Sequence, residues 1–282
     1  YTQPALFAYE VALYRLAESF GIRPDFLAGH SIGELTAAHL AGVWTLADAA
    51  RLVATRGRLM GGLPAGGAML SVTAPVDTLT PLIDGTGVEI AAANSPTHTV
   101  LTGQAEAIDT LASRCEDTGL RARRLRVSHA FHSAHMDPIL EEFRQAVADT
   151  PAQAPALPVV SNRTGQPLTP EQAASPDYWA EQLRHTVEYT TVTTYLEEAG
   201  TTTYLELGPD TTLTTLTTDT LSTPATAVAA QQRDRSQTDT LTTALATVHT
   251  THTPLTWPTT THTTHLPTYA FQHHTYWLHD TP

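Results

Sequence analysis

Ser31 sits in the run GHSIG (29–33), with a glycine two residues away on either side and His30 just before it. A serine hydroxyl performs acyl chemistry only when a sharp turn presents it and a base takes its proton. The run FLAG (26–29) reads as a short buried strand, and residues 32–40 read as a helix closed by Gly42. Strand, glycine turn and helix form the setting of a nucleophile elbow. Glycines on both sides are expected because a side chain there would clash with neighbouring backbone. The helix start behind the serine offers its dipole and the Ile32 N–H to a developing oxyanion. The alternative is a glycine-flanked loop serine that does no chemistry.

The base must come from the 14 histidines, many of them in a threonine-rich tail. The informative cluster is SHAFHSAH (128–135), with His129, His132 and His135. Three histidines also raise the possibility of zinc. A hydrolytic zinc site usually adds a carboxylate or an HExxH pair, and neither appears, so the expectation is no metal. The HxxH pairs at 249/252 and 262/265 lie in linker-like composition and read as solvated.

These residues need a scaffold. The chain has 282 residues and 41% hydrophobic content, enough for one large domain or a domain with a smaller insert. No apolar run reaches the roughly 18 residues of a membrane span. The start, YTQPALFAYE, lacks signal-peptide features, and the single Cys115 fits a reducing, cytoplasmic setting. A net charge of −13 argues against general nucleic-acid binding and requires any anion site to be locally basic. Residues 5–20 have helical spacing ended by Gly21, and a helix from Thr45 has Asp48 at capping-box distance. After PAGG (64–67) the pattern becomes strand, helix 76–83, strands VEIAAAN and HTVLTG, helix 104–118 and a strand near 123–127. That βαββαβ order is the ferredoxin-like split motif.

The fold class is therefore α/β: a larger α/β-hydrolase-like subdomain with a parallel sheet (1–65 and 128–249), and an inserted ferredoxin-like subdomain (66–127). The larger part resumes with a helix over 137–149, strand PVVSN, helices near 177–199 and strand TYLELG. Residues 250–282, rich in Thr, Pro and His and ending in aromatics, read as an extended linker pinned to a surface.

The motifs GHSIGE (29–34), TRGRLM (55–60) and VSHAFH (127–132), supported by VVSN (159–162), YLELGPD (204–210) and LPTYAFQHHTYWL (266–278), occur in fixed order. In this the chain resembles malonyl-type acyltransferase domains of modular type I polyketide synthases, relatives of malonyl-CoA:acyl carrier protein transacylases. The resemblance implies that Ser31 takes malonyl from malonyl-CoA as an ester and passes it to the phosphopantetheine thiol of an acyl carrier protein. His132 would be the base, oriented by a backbone carbonyl from near Glu188. Arg56 would clamp the malonyl carboxylate, and losing that clamp would cost about 2–5 kcal/mol. His30, Ile32, His129 and Phe131 would line the substrate. HAFH, with Phe131 filling the space of an α-methyl group, and Ile32 in place of a glutamine accompany malonyl selection in this family. No cofactor is implied beyond the phosphopantetheine of CoA and carrier. The implied partners are malonyl-CoA, the carrier, and the ketosynthase and linker domains of the same synthase.

Family members begin with a strand and a GQG loop whose glutamine gives a second oxyanion donor, and no such loop precedes Ser31 here. The expectation is a marginally stable chain that is poorly active alone, since one missing donor costs about 10²–10³ in rate. LRARRLR (120–126) gathers four arginines in an acidic chain. It reads either as a solvated strand face or as a landing site for CoA phosphates or an acidic carrier. Two rivals remain. A serine hydrolase shares GHSIG but wants an acid before a late histidine and leaves Arg56 unexplained. A structural remnant would have no reason to keep Ser31, His132 and Arg56.

Overall fold

The computed structural model describes residues 2–127, 129–251, 254–257 and 270. In chain order the elements are α1 (Thr2–Ser19), β1 (Leu27–Ala28), α2 (Ile32–Leu40), α3 (Leu46–Gly61), β2 (Gly67–Val72), α4 (Val76–Ile83), β3 (Glu89–Ser95), β4 (His98–Gln104), α5 (Ala105–Asp117) and β5 (Ala122–Arg124). A 3₁₀ turn, Ala134–Ile139, then leads into α6 (Leu140–Ala148), β6 (Val159–Val160), α7 (Pro170–Ala174), α8 (Pro176–Arg184), α9 (Tyr189–Glu198), β7 (Thr203–Glu206), α10 (Thr212–Thr220), β8 (Thr226–Ala229) and α11 (Gln237–Thr250).

Parallel and antiparallel sheets coexist. β2 to β5 form one antiparallel sheet in the order β3-β4-β2-β5, with Leu70 opposite Leu101 and Ser71 opposite Arg123. α4 and α5 supply Leu79, Ile108 and Leu111 to its core. β1 pairs in parallel with β6, Leu27 opposite Val159, and β7 pairs in parallel with β8. The expected single parallel sheet is thus two separate two-stranded ladders. The expected burial of β1 also fails: Leu27 is half-buried and Ala28 exposed, whereas both residues of β6 are buried.

A second core lies under α2, α3, α6 and α8, where Trp44 and Trp179 meet at 4.7 Å between ring centroids. α3 starts as its sequence dictates: the Thr45 hydroxyl accepts the Asp48 N–H at 3.2 Å. The helix expected over 137–149 begins instead as the 3₁₀ turn, which contains Pro138, a residue with no N–H to give. The helices expected near 177–199 are α8 and α9, parted where Val187 spends its own N–H and C=O on Ala91 and Ala93 of β3, each at 2.9 Å. α7, α10, β8 and α11 have no counterpart in the sequence reading: α7 has only five residues, and the threonine-rich stretches of the others give little periodicity. Within α10 the hydroxyls of Thr215 and Thr218 satisfy themselves on carbonyls four residues back, at 2.9 and 2.8 Å.

Residues 254–257 return to α1: Thr256 N–H donates to the Phe20 carbonyl at 2.7 Å, and Trp257 lies edge-on to Phe20 and His249. The motif at 266–278 and the pair at 262/265 lie outside the described residues, Ala270 excepted, as does His252. Among the described residues, no helix is long and apolar enough to cross a membrane.

Candidate active site

Ser31 caps the N-terminus of α2 with φ 53° and ψ −108°, a backbone that L side chains rarely adopt. The turn that carries it is steric in origin. A Cβ on Gly29 would stand 2.0 Å from the carbonyl carbon of Gly33. The matching expectation for Gly33 is corrected: a Cβ there meets nothing within 4 Å. Only the first glycine of the motif is forced by the close approach. His30 and Ser31 carbonyls take the N–H groups of Gly33 and Glu34, at 3.0 and 3.1 Å. Ile32, first residue of α2, has its N–H at the helix end, where donors lack intrahelical partners.

Across the turn, His132 also holds a left-handed backbone, φ 56°, and its Nε2 lies 2.8 Å from Ser31 Oγ. Its Nδ1 is 2.8 Å from the carbonyl of His185. A carbonyl only accepts, so Nδ1 carries the proton and Nε2 is free to accept from the serine hydroxyl. The orienting carbonyl was expected near Glu188; it comes from His185, three residues earlier, and the Glu188 carbonyl accepts the Val192 N–H at 3.1 Å. The chain leaves α8 in extended conformation at His185, which turns that carbonyl to the imidazole. Burial, the Arg56 cation and His30 push the His132 imidazole down to about 3, so it is neutral near pH 7.

Arg56 projects from α3 and is 1% exposed. Its Nη2 donates to Ser31 Oγ at 3.1 Å and its Nη1 to Gln3 Oε1 at 2.5 Å. Burial lowers its basicity to about 10, opposed by Glu34, so it stays charged near pH 7. Its Nε is buried without a hydrogen-bond partner. A desolvated cation with an unspent donor beside a nucleophile is suited to an anionic group on whatever the nucleophile attacks.

The other expected residues divide. His30 donates from Nε2 to Asn94 Oδ1 at 2.8 Å and packs on Tyr189. Ile32 is buried in the core, and Phe131 is half-buried between two core clusters. His129 donates to the Leu63 carbonyl at 2.9 Å and stands between Phe131 and His135. His135 donates to the Pro64 carbonyl at 3.0 Å, so both histidines flanking His132 hold backbone carbonyls. Among the described residues, no group of His, Cys, Asp and Glu is arranged to hold a metal. Arg121, Arg123 and Arg126 are exposed, and Arg124 pairs with Asp109.

Gln3, Glu34, Asn94 and Gln182 were not singled out from the sequence. Glu34 shared a motif with Ser31, but the other three sit far away in the chain with no local signal. Glu34, 0% exposed, is raised to about 7 by burial, against hydrogen bonds from Tyr178, Asn162 and Gln182.

His30, Ile32, His132 and Asn94 line one end of a cavity of about 1060 Å³. The cavity continues between β1 and β7, past Leu27 and Thr203. Within the described sheets, β1 is hydrogen-bonded to β6 alone and β7 to β8 alone, so each strand has one open edge.

Residues 1–254 match the family model described as acyl transferase domain. Over 282 residues the chain is 43% identical to the mycoketide-CoA synthase of Mycobacterium tuberculosis, covering 99% of this chain and 7% of that protein. The chain therefore spans a small fraction of that relative's length. Among solved structures it is similar to the acyltransferase domain from the second module of the salinomycin polyketide synthase, with TM-score 0.83 and 48% identity over 88% of this chain and 59% of that one. It is also similar to FabD from Acinetobacter baumannii, with TM-score 0.79 and 30% identity over 87% of this chain and 80% of that one.

Proposed function

This chain belongs to the acyl transferase domain family, among the acyltransferase domains of polyketide synthases, and we propose that it moves malonyl from malonyl-CoA through a Ser31 ester to an acyl carrier protein. The observation that carries this reading is the buried Arg56 guanidinium 3.1 Å from the hydroxyl that His132 faces at 2.8 Å. Nucleophile, base and a cation for a free carboxylate meet at one point.

In the first half-reaction Ser31 Oγ attacks the thioester carbonyl carbon and its proton passes to His132 Nε2. The tetrahedral oxyanion draws on the Ile32 N–H and the α2 dipole. Collapse breaks the C–S bond, and His132 returns the proton to the departing CoA sulfur. In the second half the carrier's phosphopantetheine thiol gives its proton to His132, its sulfur attacks the ester, and Ser31 recovers the proton. The acyl group needs no bound cofactor, because phosphopantetheine enters with CoA and with the carrier.

Arg56 contributes twice. It pairs with the malonyl carboxylate, and that pairing offsets the Arg56 charge, which after burial is the next cause that holds His132 down. The bond from His132 Nδ1 to a backbone carbonyl, where a hydrolase of the rival class wants a carboxylate, supports a dyad. Phe131 and Ile32 would disfavour an α-methyl group by size, a selection of about 1–3 kcal/mol.

The cavity between β1 and β7 supports the expected arrangement of a larger α/β subdomain (1–65, 128–249) that takes one further extended segment. Such a segment would pair both open strand edges and bring a second oxyanion donor to Ser31. The βαββαβ order and strand order of 66–127 support the ferredoxin-like reading, and residues 250–282 would link to a neighbouring ketosynthase or linker domain. The exposed Arg121 and Arg123 are offered as a carrier or CoA contact, and a cytoplasmic setting fits these partners.

The test offers malonyl-CoA and methylmalonyl-CoA together and follows Ser31 by mass. A malonyl adduct, discharged faster by a carrier thiol than by water, is expected. Phe131→Ser, with neighbouring changes towards YASH, should raise the methylmalonyl share. Release to water alone would favour a hydrolase, and an unchanged share would sink the steric account.

A further inference from the structure

One helix end touches both members of the serine–histidine pair. From α8, Gln182 Nε2 donates to the carbonyl oxygen of Ser31 at 2.8 Å. Three residues on, the His185 carbonyl receives His132 Nδ1 at 2.8 Å. Between them Arg184 pairs with Glu89 at 2.9 Å and Asp137 at 2.6 Å, and Glu89 accepts the N–H of Ala134, two residues beyond His132, at 2.7 Å.

The nucleophile turn needs this support. A non-glycine residue stays at φ 53° only where its surroundings over-determine it. Asn162 Nδ2 holds the Gly29 carbonyl at 2.9 Å, and Gln182 holds that of Ser31. Both residues are anchored on one carboxylate: the Asn162 N–H and Gln182 Nε2 each lie 3.3 Å from Glu34 Oε2, and the Tyr178 hydroxyl donates to Oε1. Gln182 is 1% exposed, yet its Oε1 has no partner. A buried acceptor left unpaired lowers stability. It persists because the amide is oriented for what its nitrogen does.

We propose that Gln182 is a positioning residue: anchored by Glu34, its amide clamps the Ser31 carbonyl and so fixes the nucleophile at bonding distance from a base held by the same helix end. The inference rests on Ser31 being the nucleophile, as proposed above, and not on the identity of the acyl group.

Ser31 is therefore titrated in the full chain with a fluorophosphonate probe, which reads nucleophile activation without a carboxylate or CoA. Gln182→Met keeps length while removing the donor, and Gln182→Asn withdraws the amide by one methylene. Tyr178→Phe removes a different hydrogen bond to the same Glu34 network. Both Gln182 variants should label about 10- to 100-fold more slowly, and the KM for malonyl-CoA should be unchanged. Tyr178→Phe should lower Tm and slow labelling far less than either Gln182 variant. Labelling of Gln182→Met at the unaltered rate, or slowing in all three variants in step with Tm, overturns the proposal. If Gln182→Met does not fold, Gln182→Asn decides. An unaltered chain that labels but accepts no malonyl refutes the substrate reading and leaves the Gln182 comparison intact. No labelling of Ser31 in the unaltered chain refutes both.

Discussion

At the scale of single residues, the site works by sharing. Arg56 spends one donor on Ser31 and another on Gln3, and its Nε is unspent. An unpaired malonyl carboxylate in this setting would have to remain charged while desolvated, which is why the cation matters more than its distance alone suggests. Arg56→Ala should lower kcat/KM for malonyl-CoA by a factor equivalent to about 2–5 kcal/mol. The loss for acetyl-CoA, which has no free carboxylate, should be much smaller. Steady-state loading of a carrier with each thioester measures the contrast, and equal losses would remove the clamp from the account. The histidines show how little residue type alone decides. His129, His132 and His135 are spaced alike, but His129 and His135 reach the Leu63 and Pro64 carbonyls while His132 faces the Ser31 hydroxyl.

At the scale of elements, the turn before α2 is the feature most tightly dictated by sequence. Gly29 is irreplaceable because its missing side chain is where Gly33 backbone passes. Gly33, inside the first turn of α2, has open space around it. Gly29→Ala should fail to fold stably or lose Ser31 reactivity altogether. Gly33→Ala should raise stability by about 0.5–1 kcal/mol, the usual gain for alanine over glycine in a helix. Thermal melts of the two variants check this, and a large Tm loss in Gly33→Ala would show that the second glycine is steric after all. The capped start of α3 was legible for the same local reason, a hydroxyl three residues before an N–H. The break between α8 and α9 was not, since it follows from the pairing of Val187 with β3, far away in the chain.

At the scale of the whole molecule, the open edges of β1 and β7 and the cavity between them dominate. The cavity contains Glu10, half-buried, which takes a hydrogen bond from Thr36 at 2.5 Å and is raised by burial from 4.5 to about 7. The folded chain thus holds a proton that the unfolded chain has already released. Its stabilising contribution is complete below pH 4.5 and is lost as pH rises through about 7. Glu34 acts in the same direction, whereas His132, depressed in the folded state, contributes stability above 6.5 that is lost on acidification. Tm should therefore fall between about pH 4.5 and about pH 7, most steeply above 6.5, where the opposing His132 contribution is complete. Glu10→Gln, which keeps an acceptor for Thr36, should lessen the fall, and an unchanged slope would show that Glu10 ionises normally.

The sequence by itself determined what depends on neighbours along the chain: the elbow around Ser31, the cap at Thr45, the βαββαβ order, and the residue types that make acyl transfer to a thiol chemically sensible. It also carried Ser31, Arg56 and His132 as a set, because their motifs are contiguous. Only the tertiary structure decided that the His185 carbonyl orients His132, that the two flanking histidines hold backbone carbonyls, and that Gln182 and Glu34 brace the turn. A backbone carbonyl is the same in every residue, and a buried amide 151 positions from its acceptor leaves no periodicity. Such contacts are set by where whole elements come to rest against one another, and that is fixed by packing over the entire chain.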